Sequence, residues 1–428
     1  MTLTASGPSL RVRTRQLFEQ EQRFIAPGLQ TIALLSELAI AEARGVFVTD
    51  LDGNRYLDFN AGVSAASLGH THPEYVAALK AQLDRVTVGS YTTPARAELV
   101  ELLASVAPGA LRRTQFFSGG SEAVEAAIRL ARSFTKRQAI VGFTGAFHGK
   151  TAGVLPLSDV SWKDAVGPLA PALHLARYGD PADLRRVIEE DAHGTIAAVI
   201  VEPIQGTAGN IIPPPGFLSE VKSIAAEYGA LLIADEMITG FGRTGAMWGA
   251  EHDGVVPDIM TVGKGMGGGF PLAGVISSEK TTAAKPWSNP SASSSSYGGN
   301  PLAAAAGLAS LEIILKQDLV KNAERVGKVM LGRLEELKEK YRCVGDVRGK
   351  GLMLGIELVR NRATKEPLTK TVTQALYQEC LRRGLVAMTY APSVRINPPL
   401  TIREDAALAG LAILDEALGV IVREHGLE

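Results

Sequence analysis

The chain has 428 residues, 46% of them hydrophobic and 21% charged, so it is long and apolar enough to bury more than one core and is not a disordered polymer. A net charge of -1 gives no electrostatic footprint for nucleic acid or an anionic membrane, and the longest apolar runs, such as "TIAAVIV", fall short of the ~18 residues that a membrane span needs. Two isolated cysteines, Cys343 and Cys380, exclude a disulfide framework or a cysteine-rich metal site and make a reducing cytoplasm the expected location.

The chain opens on "MTLTASGPSLRVRTRQLFEQEQ", a polar stretch expected to be loose, with no apolar segment leading to a cleavage site; this argues against a secretory signal. "GVFVTDLDGNRYLDF" alternates apolar and polar residues on both sides of Asp52-Gly53-Asn54, the pattern of a hairpin. From about Leu68, helical and buried-strand patterns alternate. "YVAALKAQL" and "SEAVEAAIRLARSF" carry apolar residues at helical spacing, whereas "RQAIVGF", "AAVIVEP", "GALLIADE" and "DIMTVGK" are short apolar runs rich in valine, isoleucine and leucine. The alternation predicts an α/β domain whose largely parallel sheet is covered on both faces. The serine-rich segment 287–301, "WSNPSASSSSYGGNP", has the composition of a flexible linker. Beyond it, "NPLAAAAGLASLEIILKQDL" reads as a long helix and "VGDVRGKGLMLGIELVRN" as a strand pair. "PSVRINPPLTI" then leads into a closing amphipathic helix, completing a smaller α+β unit.

In "DIMTVGKGMGGGFPLAG" (258–274) one lysine ends an apolar run and is followed at once by glycines. A phosphate loop would need a glycine where Asp258 stands and serine or threonine where Gly265 stands. Gly263, Gly265 and Gly268 match a dinucleotide fingerprint literally. Those glycines should open a helix, however, and here they precede the strand-like "FPLAGVIS", so an NAD-dependent dehydrogenase is a distant alternative. Lys264 as a reactive amine explains more. Parallel sheets hold ligands at their C-terminal edge, and glycine neighbours leave room there for a flat ring.

Three further stretches bear on that reading. "GALLIADEMITGFGRTG" ends a strand at Asp235, whose carboxylate either caps a turn or meets a ring nitrogen and keeps it protonated. "FFSGGSEAVEAAIRLAR" runs through Gly119, Gly120 and Ser121 into a helix, where free N–H groups take a plain cap or seat a phosphate. "GAFHGKT" adds Phe147 and His148, an aromatic face for stacking. An imine-forming amine, a pyridinium partner, a phosphate cradle and a stacking face are the requirements of bound pyridoxal 5'-phosphate, which is the expected cofactor.

From residue 45 to 402 the ordered motifs resemble the class III aminotransferases, the omega-aminotransferase group of fold-type I pyridoxal-phosphate enzymes. They include "LDGNRYLDF", "LGHTHP", "SGGSEAVEAAIRLAR", "VEPIQG", "IADEMITGFGRTG", "PDIMTVGKGMGGGFPLAG", "YGGNPLAAAA" and "GDVRGKGLMLGIEL". The resemblance implies a large cofactor-binding domain over 68–315, with a mainly parallel seven-stranded sheet between helices. It implies a smaller α+β domain drawn from both chain ends, 1–67 and 316–428. Lys264 would be the Schiff-base lysine and proton carrier, Asp235 the partner of the pyridine nitrogen, and Phe147 the stacking ring with His148 beside it. Gly120 and Ser121 would hold the phosphate. Glu202, Gln205 and Ile238 would lie against the cofactor, Gln205 toward its 3'-oxygen. Ser296 would reach the phosphate of a neighbouring subunit, which makes the serine run an interface loop in a homodimer or a tetramer.

The implied reaction moves an amino group from an amine, omega-amino or amino acid donor to pyruvate or 2-oxoglutarate, with ping-pong kinetics. Arg395, in "SVRINPPLTI", stands where relatives bind a substrate carboxylate, a task suited to a bidentate guanidinium. Many relatives that use glutamate with an omega-amino acid park this arginine against a glutamate in the segment after "EP". Thr207 stands there in "EPIQGTAGN", which argues against 4-aminobutyrate with 2-oxoglutarate and toward pyruvate as acceptor. "GDVRGKGLMLGIELVRNRATKEP" is also similar to dialkylglycine decarboxylase, whose pocket glutamine falls at Val63 and whose tryptophan falls at Phe147. Decarboxylating transamination is therefore the alternative within the fold, and amino acid racemases and aminomutases share the same apparatus.

Overall fold

In the computed structural model, which describes residues 11–191 and 193–427, the expected hairpin forms from β2 (Phe47–Asp50) and β3 (Arg55–Asp58), with β1 (Ile40–Arg44) paired antiparallel to β2. Residues 1–10, the start of the polar stretch expected to be loose, lie outside the described residues. Asp50 closes the hairpin turn. Its carboxylate accepts the N–H groups of Asp52 and Asn54, the Asn54 amide and the Tyr56 hydroxyl, the local bonding that makes aspartate a turn residue.

Seven strands then build one sheet: β4 (Arg113–Phe117), β5 (Ala139–Phe143), β6 (Leu173–Ala176), β7 (Ile196–Val201), β8 (Leu231–Asp235), β9 (Ile259–Val262) and β10 (Ala273–Ser277). Their order is β4-β10-β9-β8-β7-β5-β6; only β10 runs antiparallel to its neighbours. The apolar runs are continuous because both faces are covered. Ile140, Ile200 and Ile233 join a core with Val124, Ala127 and Leu130 of helix Gly120–Thr135. Their neighbours Val141, Val199 and Leu232 join a second core with Leu184 and Val221 of helices Pro181–Glu189 and Phe217–Glu227. Adjacent residues thus go to opposite cores, as the two-residue period of a strand demands.

The strand pair expected near the C-terminus is β11 (Val344–Lys350) and β12 (Met353–Asn361). The short β13 (Glu366–Pro367) extends β12, β14 (Leu385–Val386) runs parallel to β3, and β15 (Ser393–Ile396) pairs with β12. The last helix is Glu404–His425. Two compact units result: Pro73–Lys321 holds the seven-stranded sheet, and Met1–His72 joins Asn322–Glu428. Among the described residues no helix is long and apolar enough to cross a membrane.

Segment 287–301 is not the free linker its composition suggests. The Ser293 hydroxyl donates to the Trp287 carbonyl, and Asn300 both donates to Tyr297 and caps helix Pro301–Lys316 through the Ala303 N–H. A Cβ on Gly298 would stand 2.2 Å from the Phe116 carbonyl oxygen, on a strand held in register by β10, so the loop lies directly on backbone. Gly298→Ala should therefore lower the urea unfolding midpoint at unchanged slope, a loss of about 1–3 kcal/mol, while Ser294→Ala in the same loop should stay within about 0.5 kcal/mol.

Candidate active site

The C-terminal ends of β4, β5, β7, β8 and β9 open on one edge of the sheet, because β4 and β9 both run opposite to β10. Asp235 is the last residue of β8 and pairs in register with Thr261 of β9. It is 3% exposed. A carboxylate so buried needs partners, and three segments supply them. His148 Nδ1 lies 2.6 Å from Oδ2, while the Thr261 hydroxyl and the Met237 N–H donate to Oδ1 at 3.1 and 3.2 Å.

His148 reaches Asp235 from the loop after β5, where its own N–H donates to the Ser158 hydroxyl. Burial alone would push its pKa down. The hydrogen bond with Asp235 and the charges of Asp235 and Glu202 outweigh that effect, and the net shift is upward. The other ring nitrogen, Nε2, is buried without a hydrogen-bond partner. Glu202 follows β7; it accepts the N–H of Phe147 at 2.9 Å and that of Gly206 at 3.0 Å, and burial raises its pKa. Gln205 donates to the Thr144 carbonyl at 2.8 Å, and Ile238 lies against Gly206, where a Cβ would stand 2.4 Å from its Cδ1. Phe147 is half-buried.

Lys264 begins the tight turn Lys264–Gly267 just beyond β9 and is half-buried. The dinucleotide context is absent: the glycines lead through this turn into β10, not into a helix. Gly120 and Ser121 start helix Gly120–Thr135, whose first N–H groups have no intrahelical acceptor. The Met237 sulfur links the two places, since a Cβ on Gly120 or Gly263 would stand 3.2 or 2.6 Å from it.

These residues fit pyridoxal phosphate. The buried Asp235 suits a cationic ring nitrogen, helix N–H groups suit a phosphate, and the lysine stands just beyond the end of the adjacent strand. The structure thus brings Gly120, Ser121, Phe147, His148, Glu202, Gln205, Asp235, Ile238 and Lys264 to one sheet edge. Thr207 and Ser296 belong to the same unit and are exposed.

Val63 and Arg395 belong to the chain-end unit. Arg395 is half-buried on β15, opposite Gly355. Val63 lies in a run in which Ala61, Gly62, Val63 and Ser64 all have φ between 48° and 66°. Left-handed backbone is unfavourable for a β-branched residue and persists only where neighbours impose it. Here Asp58 accepts the N–H groups of Asn60 and Ala61, Asn60 accepts that of Val63, and Asn397 donates to the Ser64 hydroxyl at 2.8 Å. That last bond brings the segments carrying Val63 and Arg395 together.

Sequence reasoning missed several supports. Thr261, a polar residue inside an apolar strand, was the visible signal of a buried partner for Asp235. Glu236 is fully buried and accepts from Thr239, Gly249 and Ala250, tying the chain after β8 to the turn Gly249–Asp253. Burial pushes its carboxyl up to about 7 against those three donors.

Residues 32–418 match the family model described as Aminotransferase class-III. The chain is 39% identical to the acetylornithine aminotransferase of Methanopyrus kandleri, over 89% of this chain and 94% of that one. It is 34% identical to the alanine/serine racemase of Pyrococcus horikoshii, over 95% and 90%. It superposes with a TM-score of 0.86 on a PLP-bound amine transaminase from an uncultivated Pseudomonas species, 32% identical, over 93% of this chain and 99% of that one.

A carboxyl raised in the folded state keeps its proton at pH values where the unfolded chain has released it, so its contribution to stability falls as pH rises. For Glu236 the window runs from the ordinary 4.5 to about 7. In the cofactor-free protein, Glu236→Gln should flatten the decline in unfolding free energy across that window by roughly 1–3 kcal/mol relative to the parent. Urea titrations at a series of pH values check this; parallel curves would contradict it.

Proposed function

The chain belongs to the class-III aminotransferases, which depend on pyridoxal 5'-phosphate, and we propose that it passes the amino group of a small amine or omega-amino donor to pyruvate, with 2-oxoglutarate as the other candidate acceptor. The observation that carries this reading is the buried Asp235–His148 pair at the end of β8, beside the strand that leads to Lys264.

The cofactor supplies an aldehyde that binds amines and a ring that takes up electrons. Lys264 would hold that aldehyde through its Nζ, and once an amine takes its place the freed, neutral Nζ would be the base that moves the proton of the donor carbon. Asp235, held by His148, would keep the ring nitrogen protonated. Gly120 and Ser121 would hold the phosphate, and Phe147 would cover the ring, with Glu202, Gln205 and Ile238 against it. By the family positions they match, Arg395 and Val63 would be substrate-binding residues, Arg395 for a carboxylate, and Thr207 stands where many relatives have the glutamate that parks the arginine. Return of the same steps with a keto acid gives ping-pong kinetics.

A homodimer, alone or paired into a tetramer, is part of the proposal, with Ser296 serving the neighbour's phosphate. The exposed Tyr91 and Tyr297, 86% and 65% accessible in the single chain, support a surface that a second copy covers. Two buried free thiols suit a cytoplasmic protein. The similarity to an alanine/serine racemase favours one second reading, in which the same lysine returns the proton to the donor carbon.

A half-reaction screen tests the choice. An amine should bleach the lysine-bound chromophore and a keto acid should restore it. Loss of optical activity without any keto acid would favour the racemase, and release of carbon dioxide a decarboxylase. Borohydride should fix the cofactor to Lys264, and Lys264→Ala should cut turnover by about 10²–10⁴-fold or more; retained turnover would contradict the mechanism. Arg395→Ala should raise KM for the keto acid about 10–100-fold, the worth of a charge-assisted pair.

A further inference from the structure

Lys264 has a φ of +44°, left-handed backbone that is unfavourable for a non-glycine residue and lasts only where surroundings over-determine it. The residues that follow it, from Gly265 to Gly269, include four glycines and offer little stiffness of their own. Two hydroxyls from outside the turn supply it. Tyr75, on helix Pro73–Leu83, donates to the Gly267 carbonyl at 2.6 Å, and Ser310, on helix Pro301–Lys316, donates to the Gly265 carbonyl at 2.9 Å.

These carbonyls also close the turn itself, accepting the N–H groups of Phe270 and Gly268 at 3.0 and 3.2 Å. Each hydroxyl therefore grips a carbonyl already committed to the turn, and the two grips fall one and three residues after the lysine. The two helices pack against each other, so both donors stand on one base. Ser310 is fully buried. Burial pushes the Tyr75 phenol up to about 12, so it stays a donor throughout the neutral range.

We propose that Tyr75 and Ser310 are positioning residues that fix the root of the Lys264 side chain and so set where its amine meets the cofactor aldehyde. The inference rests on the role given to Lys264 above. Each hydroxyl bonds to a backbone carbonyl and so acts through the backbone that carries the lysine. Misplacing a reacting group by about 1 Å costs up to ~10²-fold in rate, so losing one of two grips should cost about tenfold.

The test compares a ligand that bonds to the lysine with one that does not. Cofactor is removed from the parent, Tyr75→Phe and Ser310→Ala, and the rate at which pyridoxal 5'-phosphate becomes borohydride-fixed to Lys264 is measured. Dissociation constants for pyridoxamine 5'-phosphate, which has no aldehyde, are measured alongside. Each variant should capture the aldehyde about tenfold more slowly and lose about tenfold in kcat with KM little changed, while pyridoxamine phosphate binding shifts by less than about twofold. Equal losses for both ligands would mean general damage to the fold and overturn the proposal, as would unchanged capture in variants of a parent that is labelled at Lys264. A parent that is not labelled there would instead overturn the reading of Lys264 and the proposal with it.

Discussion

Burying a negative charge at the end of a central strand is the constraint on which this site depends. Asp235 can be 3% exposed only because an imidazole, a hydroxyl and a backbone N–H converge on it. Meeting that demand arranges everything nearby. His148 must come in from the loop after β5, which sets Phe147 beside it with its N–H on Glu202. Thr261 must face β8, which fixes the register of the strand that leads to Lys264. One satisfied carboxylate thus couples four strands to a shared edge, and the same charge is what a cationic ring would find there.

Much of this was legible where the signal is local. The hairpin around Gly53 follows from alternation plus turn residues, and a largely parallel sheet from short apolar runs between helical patterns, while its count of seven strands came from the family resemblance. Lys264 and Asp235 each have a bland explanation taken alone, and they stood out because of the company they keep: the glycines after the lysine, the Gly119-Gly120-Ser121 helix start and the aromatic Phe147. The competing glycine fingerprint was settled by what comes next, a tight turn and a strand.

The rest depends on contacts between segments far apart in the chain. His148 and Asp235 are 87 residues apart, and no local pattern pairs them; from the sequence, His148 belonged to an aromatic face. The left-handed run from Ala61 to Ser64 is held in part by Asn397, so nothing near Val63 announces it beyond Gly62. Composition misjudged 287–301 because serine content says nothing of the close approach of Gly298 to β4. Tyr75 and Ser310 sit in ordinary helical patterns, and their hydroxyls acquire meaning only from the carbonyls they meet.

Family membership sets the cofactor, while similarity to transaminases and racemases alike means that the fold alone does not choose the reaction. On the proposed reading, each such outcome needs a ring nitrogen kept protonated by the buried Asp235 carboxylate. Nitrogen-15 magnetic resonance of the loaded protein, with the cofactor labelled at that atom, reads this directly. The account predicts a protonated nitrogen from about pH 6 to about pH 9 in the parent and its loss in Asp235→Ala. An unprotonated nitrogen in the parent, or one indifferent to the substitution, would contradict it.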